Sequence, residues 1–214
     1  MEVETHLFKI LVVGDSHAGK TALIDRYANN KYNTDGYKAT IGVEFTSKLV
    51  RWQDGDNPIE FDIHLWDLAG QERFATQVKS YFRNSAGAIC VYDITKETTP
   101  NNILKWKKLV ENNSLGSCIL DLEKIPCVML VNKIDLVDNI QPDEINKTAK
   151  DLGFIGGFGV SALNGNGIND AIKTLLTEVY KKRKKYIEDE CDKDIIKISN
   201  SQNSVYQKTQ YCFC

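Results

Sequence analysis

Five apolar runs of strand type recur along the chain: Phe8 to Val13, Val43 to Trp52, Ile59 to Trp66, Gly87 to Asp93 and Pro126 to Asn132. Between and after most of them the apolar spacing changes to the three-and-four period of a helix. This happens over Lys20 to Ala28, Phe74 to Phe82, Asn101 to Val110, Asp143 to Leu152 and Ile168 to Lys182. The alternation predicts an α/β fold. Near-continuous runs such as ILVV and VMLV suit strands of a parallel sheet covered by helices on both faces. The second and third strands are joined by QDGDNP, whose Asp-Gly and Asn-Pro steps mark a turn. That pair is expected to be an antiparallel hairpin on an otherwise parallel sheet.

The chain has 214 residues, enough for one domain of about 170–190 residues and a tail. Its hydrophobic fraction of 42% and charged fraction of 26% are those of an ordinary globular protein, and a net charge of -2 gives no reason to expect nucleic-acid binding. No apolar run approaches the ~18–20 residues that span a bilayer. The start MEVETHLFKI lacks the basic and apolar regions of a signal peptide, so a cytosolic site of synthesis is expected. The six cysteines fall at no metal-ligand spacing and suggest no disulfide framework, but two of them, Cys212 and Cys214, lie in the last three residues. After Lys182 the composition turns to Lys, Asp, Ser, Asn and Gln without sustained apolar period. A disordered tail over residues 183–214 is therefore expected behind a domain over residues 1–182.

Gly14-Asp15-Ser16-His17-Ala18-Gly19-Lys20-Thr21 matches the phosphate-loop pattern G-x-x-x-x-G-K-S/T, directly after strand ILVV and opening a helix. Successive backbone N–H groups at a helix N-terminus attract anions. Lys20 can reach the β- and γ-phosphates, and the Thr21 hydroxyl can bind Mg²⁺. Ser16, His17, Ala18, Gly19 and Ala22 line the same turn. Such a loop alone does not choose among kinases, ATPases and GTPases.

Asn132-Lys133-Ile134-Asp135 follows strand VMLV, at the carboxyl end of a strand, where ligands bind in open α/β sheets. It resembles the N-K-x-D of the GTPase superfamily. In that reading Asp135 accepts hydrogen bonds from the guanine N1–H and 2-amino group, which adenine cannot supply. Lys133 lies along the base beside Leu136, and Asn132 braces the phosphate loop. Ser161-Ala162-Leu163 resembles the S-A-K that completes such a pocket, with Leu163 in place of lysine.

Trp66-Asp67-Leu68-Ala69-Gly70-Gln71-Glu72-Arg73-Phe74 makes the resemblance specific, because this string is typical of Rab proteins and their close relatives. The match runs from Phe8 to about Lys182. It implies a P-loop GTPase fold with a six-stranded, mostly parallel sheet, one antiparallel strand and about five helices. It also implies that Asp67 holds Mg²⁺ through water, that the Gly70 amide bonds the γ-phosphate, and that Gln71 orients the attacking water. Tyr37 to Phe45 looks like a first switch in which Thr40 ligates Mg²⁺. Tyr32, twelve residues after Lys20, stands where the family has an aromatic on the guanine. The interval from Lys20 to Thr40 is one residue longer than usual, and His17 and Ala18 stand where Rab proteins commonly have glycine and valine.

Phe45, Trp66 and Tyr81 match the aromatic triad by which Rab proteins meet effectors. YKATIGVEF, Trp52 and Leu104 to Lys107 look most like the branch linked to lysosome-related organelles and phagosomes. The ending Cys212-Phe213-Cys214 resembles a double geranylgeranylation signal; two lipid chains anchor stably where one does not. The Lys181 to Lys185 run adds positive charge at the start of the tail. The resemblance thus implies a GTP/GDP and Mg²⁺-dependent monomeric switch of vesicle traffic. Its partners would be an exchange factor, a GTPase-activating protein, effectors, prenylation machinery and a dissociation inhibitor. Its place would be the cytoplasmic face of endomembranes, with a soluble pool. Two other readings compete. A non-hydrolysing module held in one nucleotide state is motivated by His17, Leu163 and the longer first switch. A P-loop kinase or ATPase would require adenine preference, against Asn132 to Asp135.

Overall fold

A computed structural model describes residues 4–33, 40, 42–54, 57–69, 79–96, 100–114 and 124–200, with side chains of the last helix described to Ile187. The strands are β1 (Glu4–Gly14), β2 (Val43–Asp54), β3 (Asn57–Leu68), β4 (Gly87–Asp93), β5 (Cys127–Asn132) and β6 (Gly156–Val160). The helices are α1 (Lys20–Asn29), α2 (Lys79–Phe82), α3 (Pro100–Asn113), α4 (Pro142–Asp151) and α5 (Ile168–Asn200). One six-stranded sheet has the order β2-β3-β1-β4-β5-β6. Every neighbouring pair is parallel except β2 with β3, whose antiparallel ladder closes at Asp54 opposite Asn57.

Alternation along the central strands sends side chains into two cores. Ile10 and Val12 of β1 pack with Leu23 and Ile24 of α1 and Ile172, Leu175 and Leu176 of α5. Leu11 and Val13 face the other way, with Ile103, Trp106 and Val110 of α3 and Ala149 of α4. Cys90 and Cys127 are buried free thiols in that second core, and desolvation pushes the Cys127 thiol up to about 12, so it packs as a small apolar group. Among the described residues no helix is long and apolar enough to cross a membrane.

Two features differ from the sequence reading. The sixth strand, GGFGV, was not among the apolar runs, because three glycines give it little strand propensity. Packing requires them: a Cβ on Gly157 would stand 2.5 Å from the Ala149 side chain and 2.6 Å from the Ile145 carbonyl oxygen, so glycine lets α4 close onto the sheet. The last helix, expected to end at Lys182 before a disordered tail, continues to Asn200. Composition poor in apolar residues limits burial, not helix formation, and no Gly or Pro interrupts the segment. Just past Lys182 the helix is tied to the body: Lys182 Nζ donates to the Lys124 carbonyl at 3.0 Å, and the Arg183 guanidinium lies 5.6 Å over the Phe8 ring. Residues 201–214, with Cys212 and Cys214, lie outside the described residues.

Candidate functional site

The parallel register brings the carboxyl ends of the strands together. Gly14 pairs with Val91, Asp93 with Asn132, Asn132 with Val160, and Val12 with Asp67. The phosphate loop, the segment after β5 and the segment after β6 therefore leave one edge of the sheet side by side. Asn132, 1% exposed, joins all three: its Nδ2 donates to the Ala18 carbonyl at 2.8 Å and its Oδ1 accepts from the Ala162 N–H at 3.2 Å. Gly19 (φ +87°) makes the approach possible, since a Cβ there would stand 2.4 Å from Asn132 Nδ2.

Lys20 is buried at the start of α1, and its ammonium donates only to the carbonyls of Gly14 (3.0 Å) and Asp15 (3.1 Å) among the contacts described. Burial holds its pKa below the ordinary value, with the charges of Asp67 and Asp15 opposing that shift. Beside it, the Thr21 hydroxyl donates to Asp67 Oδ2 and lies 2.9 Å from the Thr40 hydroxyl, whose single proton goes either to Thr21 Oγ1 or to Asp67 Oδ2 at 3.4 Å. The other oxygen of this carboxylate, Asp67 Oδ1, is buried with no hydrogen-bond partner among the described residues, and burial raises the Asp67 pKa. An orphaned carboxylate oxygen next to two hydroxyls is a hard, all-oxygen donor set that fits Mg²⁺, which takes few protein carboxylates and completes its shell with water and phosphate.

On the base side, Ser161 Oγ donates to Asp135 Oδ1, so the carboxylate of Asp135 is oriented by a fully buried residue while itself remaining exposed. Lys133 takes a left-handed conformation (φ +67°) and pairs with the buried Asp93. Burial alone would raise the Asp93 pKa. Hydrogen bonds from Lys133 and from the Thr95 hydroxyl and N–H outweigh it, and the carboxyl is held below its usual range. Leu136 and Leu163 are exposed at this rim, as is Tyr32, and Ala22 packs against the first core. Tyr37, Gly70 and Gln71 lie outside the described residues.

The chain matches the Ras family model over residues 9–181. It is 35% identical over 215 residues to Ras-related protein Rab-32 of Mus musculus, covering 99% of this chain and 92% of that protein. It is 36% identical to Ras-related protein Rab-7L1 of Rattus norvegicus over 81% of this chain and 82% of the relative. It is also 37% identical to Ras-related protein Rab-32A of Dictyostelium discoideum, over 82% and 79%. The chain belongs to the Rab family of small GTPases. Rab proteins are GTP-binding switches of membrane traffic that hydrolyse GTP to GDP, and this one shares that activity at the level of the family.

Within this Rab chain the three aromatic residues form a continuous row. Phe45 meets Trp66 edge-on at 5.7 Å between centroids, and Trp66 meets Tyr81 at 5.9 Å. Lys9 Nζ sits 4.3 Å over the Trp66 ring, while Phe45 and Tyr81 are exposed, 52% and 38%.

Three residues of the site were not legible in the motifs. Asp93 is the last residue of an apolar strand run, which gives it no role of its own. Trp106 lies in a helix whose periodicity explains it as core, yet its Nε1 donates to Asp15 Oδ1 at 2.8 Å and so ties α3 to the phosphate loop. Arg26 reads as a solvated helix charge. Replacing Trp106 with Phe keeps the ring and removes the N–H. It is expected to cost about 1 kcal/mol in urea unfolding and to speed GDP release severalfold in a fluorescent-GDP chase.

His17 is exposed, takes a left-handed backbone (φ +68°) and hydrogen-bonds Ser16 Oγ through Nδ1 at 3.0 Å. Glycine adopts this conformation without strain. His17→Gly is expected to stabilise the nucleotide-free protein by about 0.5–1 kcal/mol, the relief of left-handed strain less the entropy of the added glycine, read by chemical denaturation.

Proposed function

We propose that this protein is a slowly hydrolysing GTP/GDP switch that recruits effectors in vesicle traffic while tethered to a membrane by its terminal cysteines. The carrying observation is the convergence of Thr21, Thr40 and the buried Asp67 carboxylate beside the buried Lys20 ammonium. Lys20, released from its carbonyls, meets the β- and γ-phosphates. The backbone N–H groups from Ser16 to Thr21 hold the phosphate oxygens, and Asp135 reads the guanine edge. Bound magnesium supplies neutralisation of the charge that develops on the phosphate oxygens. Thr40 belongs to the first switch and shares its hydroxyl with Thr21 and Asp67, so loss of the γ-phosphate removes a reason for that loop to stay in place. Gln71 orients the attacking water, and Gly70 bonds the γ-phosphate.

Residues 1–182 serve as the nucleotide domain, and residues 183–214 as the tether with geranylgeranylated Cys212 and Cys214. Exchange and activating proteins, effectors at Phe45, Trp66 and Tyr81, prenylation machinery and a dissociation inhibitor are the expected partners. The expected place is the cytoplasmic face of an endomembrane, endosomal, phagosomal or of a lysosome-related organelle. The test is single-turnover cleavage of preloaded GTP with Mg²⁺. A rate on the order of 10⁻⁴ per second supports the switch, and no detectable cleavage supports a one-state binding module.

A further inference from the structure

We infer that Arg26 is a positioning residue for guanine recognition, holding the Ser161–Ala162–Leu163 loop and Tyr32 in register with Asp135. The inference rests on the guanine reading above and adds to it a residue outside every motif. Arg26 Nε donates to the Ala162 carbonyl at 3.0 Å and Nη2 to the Leu163 carbonyl at 2.5 Å. Nη1 donates to the carbonyl (3.2 Å) and side-chain oxygen (3.3 Å) of Asn30, the left-handed cap of α1. The guanidinium also stands 5.9 Å from the centre of the Tyr32 ring. One rigid, planar fork thus reaches both flanks of the base site, the loop after β6 and the segment after α1.

Arg26 adds to the bonds the loop makes within itself, among them Asn164 N–H to Ser161 Oγ at 3.4 Å. At its root, Ser161 N–H donates to the Asn166 carbonyl, Gly165 N–H to the Ser161 carbonyl, and Ala162 N–H to Asn132. At its tip, Leu163 is exposed and its aliphatic side chain offers no polar contact. Its backbone carbonyl, with that of Ala162, is held by Arg26. The same loop begins with Ser161, whose hydroxyl orients Asp135. Displacement of the tip is transmitted to that hydroxyl and hence to the carboxylate. Because Arg26 is six residues after Lys20 on one helix, α1 sets the spacing between the phosphate end and the base end of the site, about 9 Å along its axis.

The test uses the full chain loaded with GDP or with IDP, which lacks the 2-amino group, and follows release into excess competitor. Wild type is expected to hold GDP at least about tenfold longer than IDP, the effect of one hydrogen bond to a charged acceptor. Arg26→Ala is expected to speed GDP release by about tenfold or more while IDP release rises much less, so that the two rates converge. The ratio of GTP to GDP release, which reports the phosphate end, stays as in wild type. Arg26→Lys, which keeps the charge but can reach only one carbonyl at a time, falls between, and it serves where the alanine variant fails to fold. Unchanged release, or equal acceleration of GDP and IDP, overturns the inference, since a general loosening of the fold would not distinguish the bases. A wild-type protein that holds neither nucleotide contradicts the guanine reading itself, and the inference with it.

Discussion

Asp135→Asn is expected to weaken GTP and GDP binding by several hundredfold or more and to create affinity for xanthine nucleotides. On the proposed function the aspartate would accept from both N1–H and the 2-amino group, and hydrogen bonds to a charged group contribute roughly 1.5–3 kcal/mol each, at about tenfold per 1.4 kcal/mol. An asparagine presents one acceptor and one donor. Its N–H₂ faces the guanine amine, donor against donor, but it matches xanthine, which keeps N1–H and has a carbonyl at C2. The Ser161 hydroxyl can still donate to the asparagine oxygen, so the side chain keeps its orientation and the change is one of hydrogen-bond polarity. Competition of GDP and XDP against a fluorescent nucleotide reads the switch directly. Equal loss of both would mean that Asp135 does not face the base.

The second large effect concerns the cation, and its two readouts have opposite signs. Asp67 is 2% exposed, one of its oxygens has no partner among the described residues, and burial raises its pKa. A carboxyl whose pKa rises on folding binds its proton more readily in the native state, so stability falls as pH climbs through the two pKa values and the buried charge remains a cost at neutral pH. Asp67→Asn removes the charge while keeping the shape and the contacts with Thr21 and Thr40. The nucleotide-free variant is therefore expected to melt higher, by about 2–4 °C for a gain on the order of 1 kcal/mol. On the proposed function the same change removes the anionic group that would hold Mg²⁺ through water, so nucleotide affinity in millimolar Mg²⁺ is expected to fall by about 100-fold or more. Thermal melts with and without GDP and Mg²⁺ check both halves. A variant destabilised in the free state as well would mean that Asp67 is held there for structure.

The parts of this molecule that were legible beforehand are those where one local pattern has one physical meaning. Strands β4 and β5 and the Ile10–Val13 half of β1 announce themselves because burial on both faces leaves almost no polar position in them, and the phosphate loop does so because glycines, a lysine and a threonine are needed at fixed offsets. Strand β6 was missed for the opposite reason: Gly157 is dictated by the approach of α4, a long-range contact that leaves no propensity signal. Arg26, Asp93 and Trp106 share that fault. Each makes its decisive hydrogen bond to a residue at least 40 positions away, and each has an ordinary local explanation as helix charge, strand end or core. The far end of α5 is not legible in composition, because apolar content measures what can be buried, whereas helix persistence depends on propensity and on the absence of Gly and Pro.

The central claim is that the edge formed by Gly14 to Thr21, Asp67, Asn132 to Asp135 and Ser161 holds a guanine nucleotide and turns it over slowly. The most direct measurement is to denature the purified protein and chromatograph what it releases. Close to one GDP per chain is expected, which would establish base specificity and slow turnover together; an adenine nucleotide, or an empty site that GDP and Mg²⁺ cannot fill, would contradict the account.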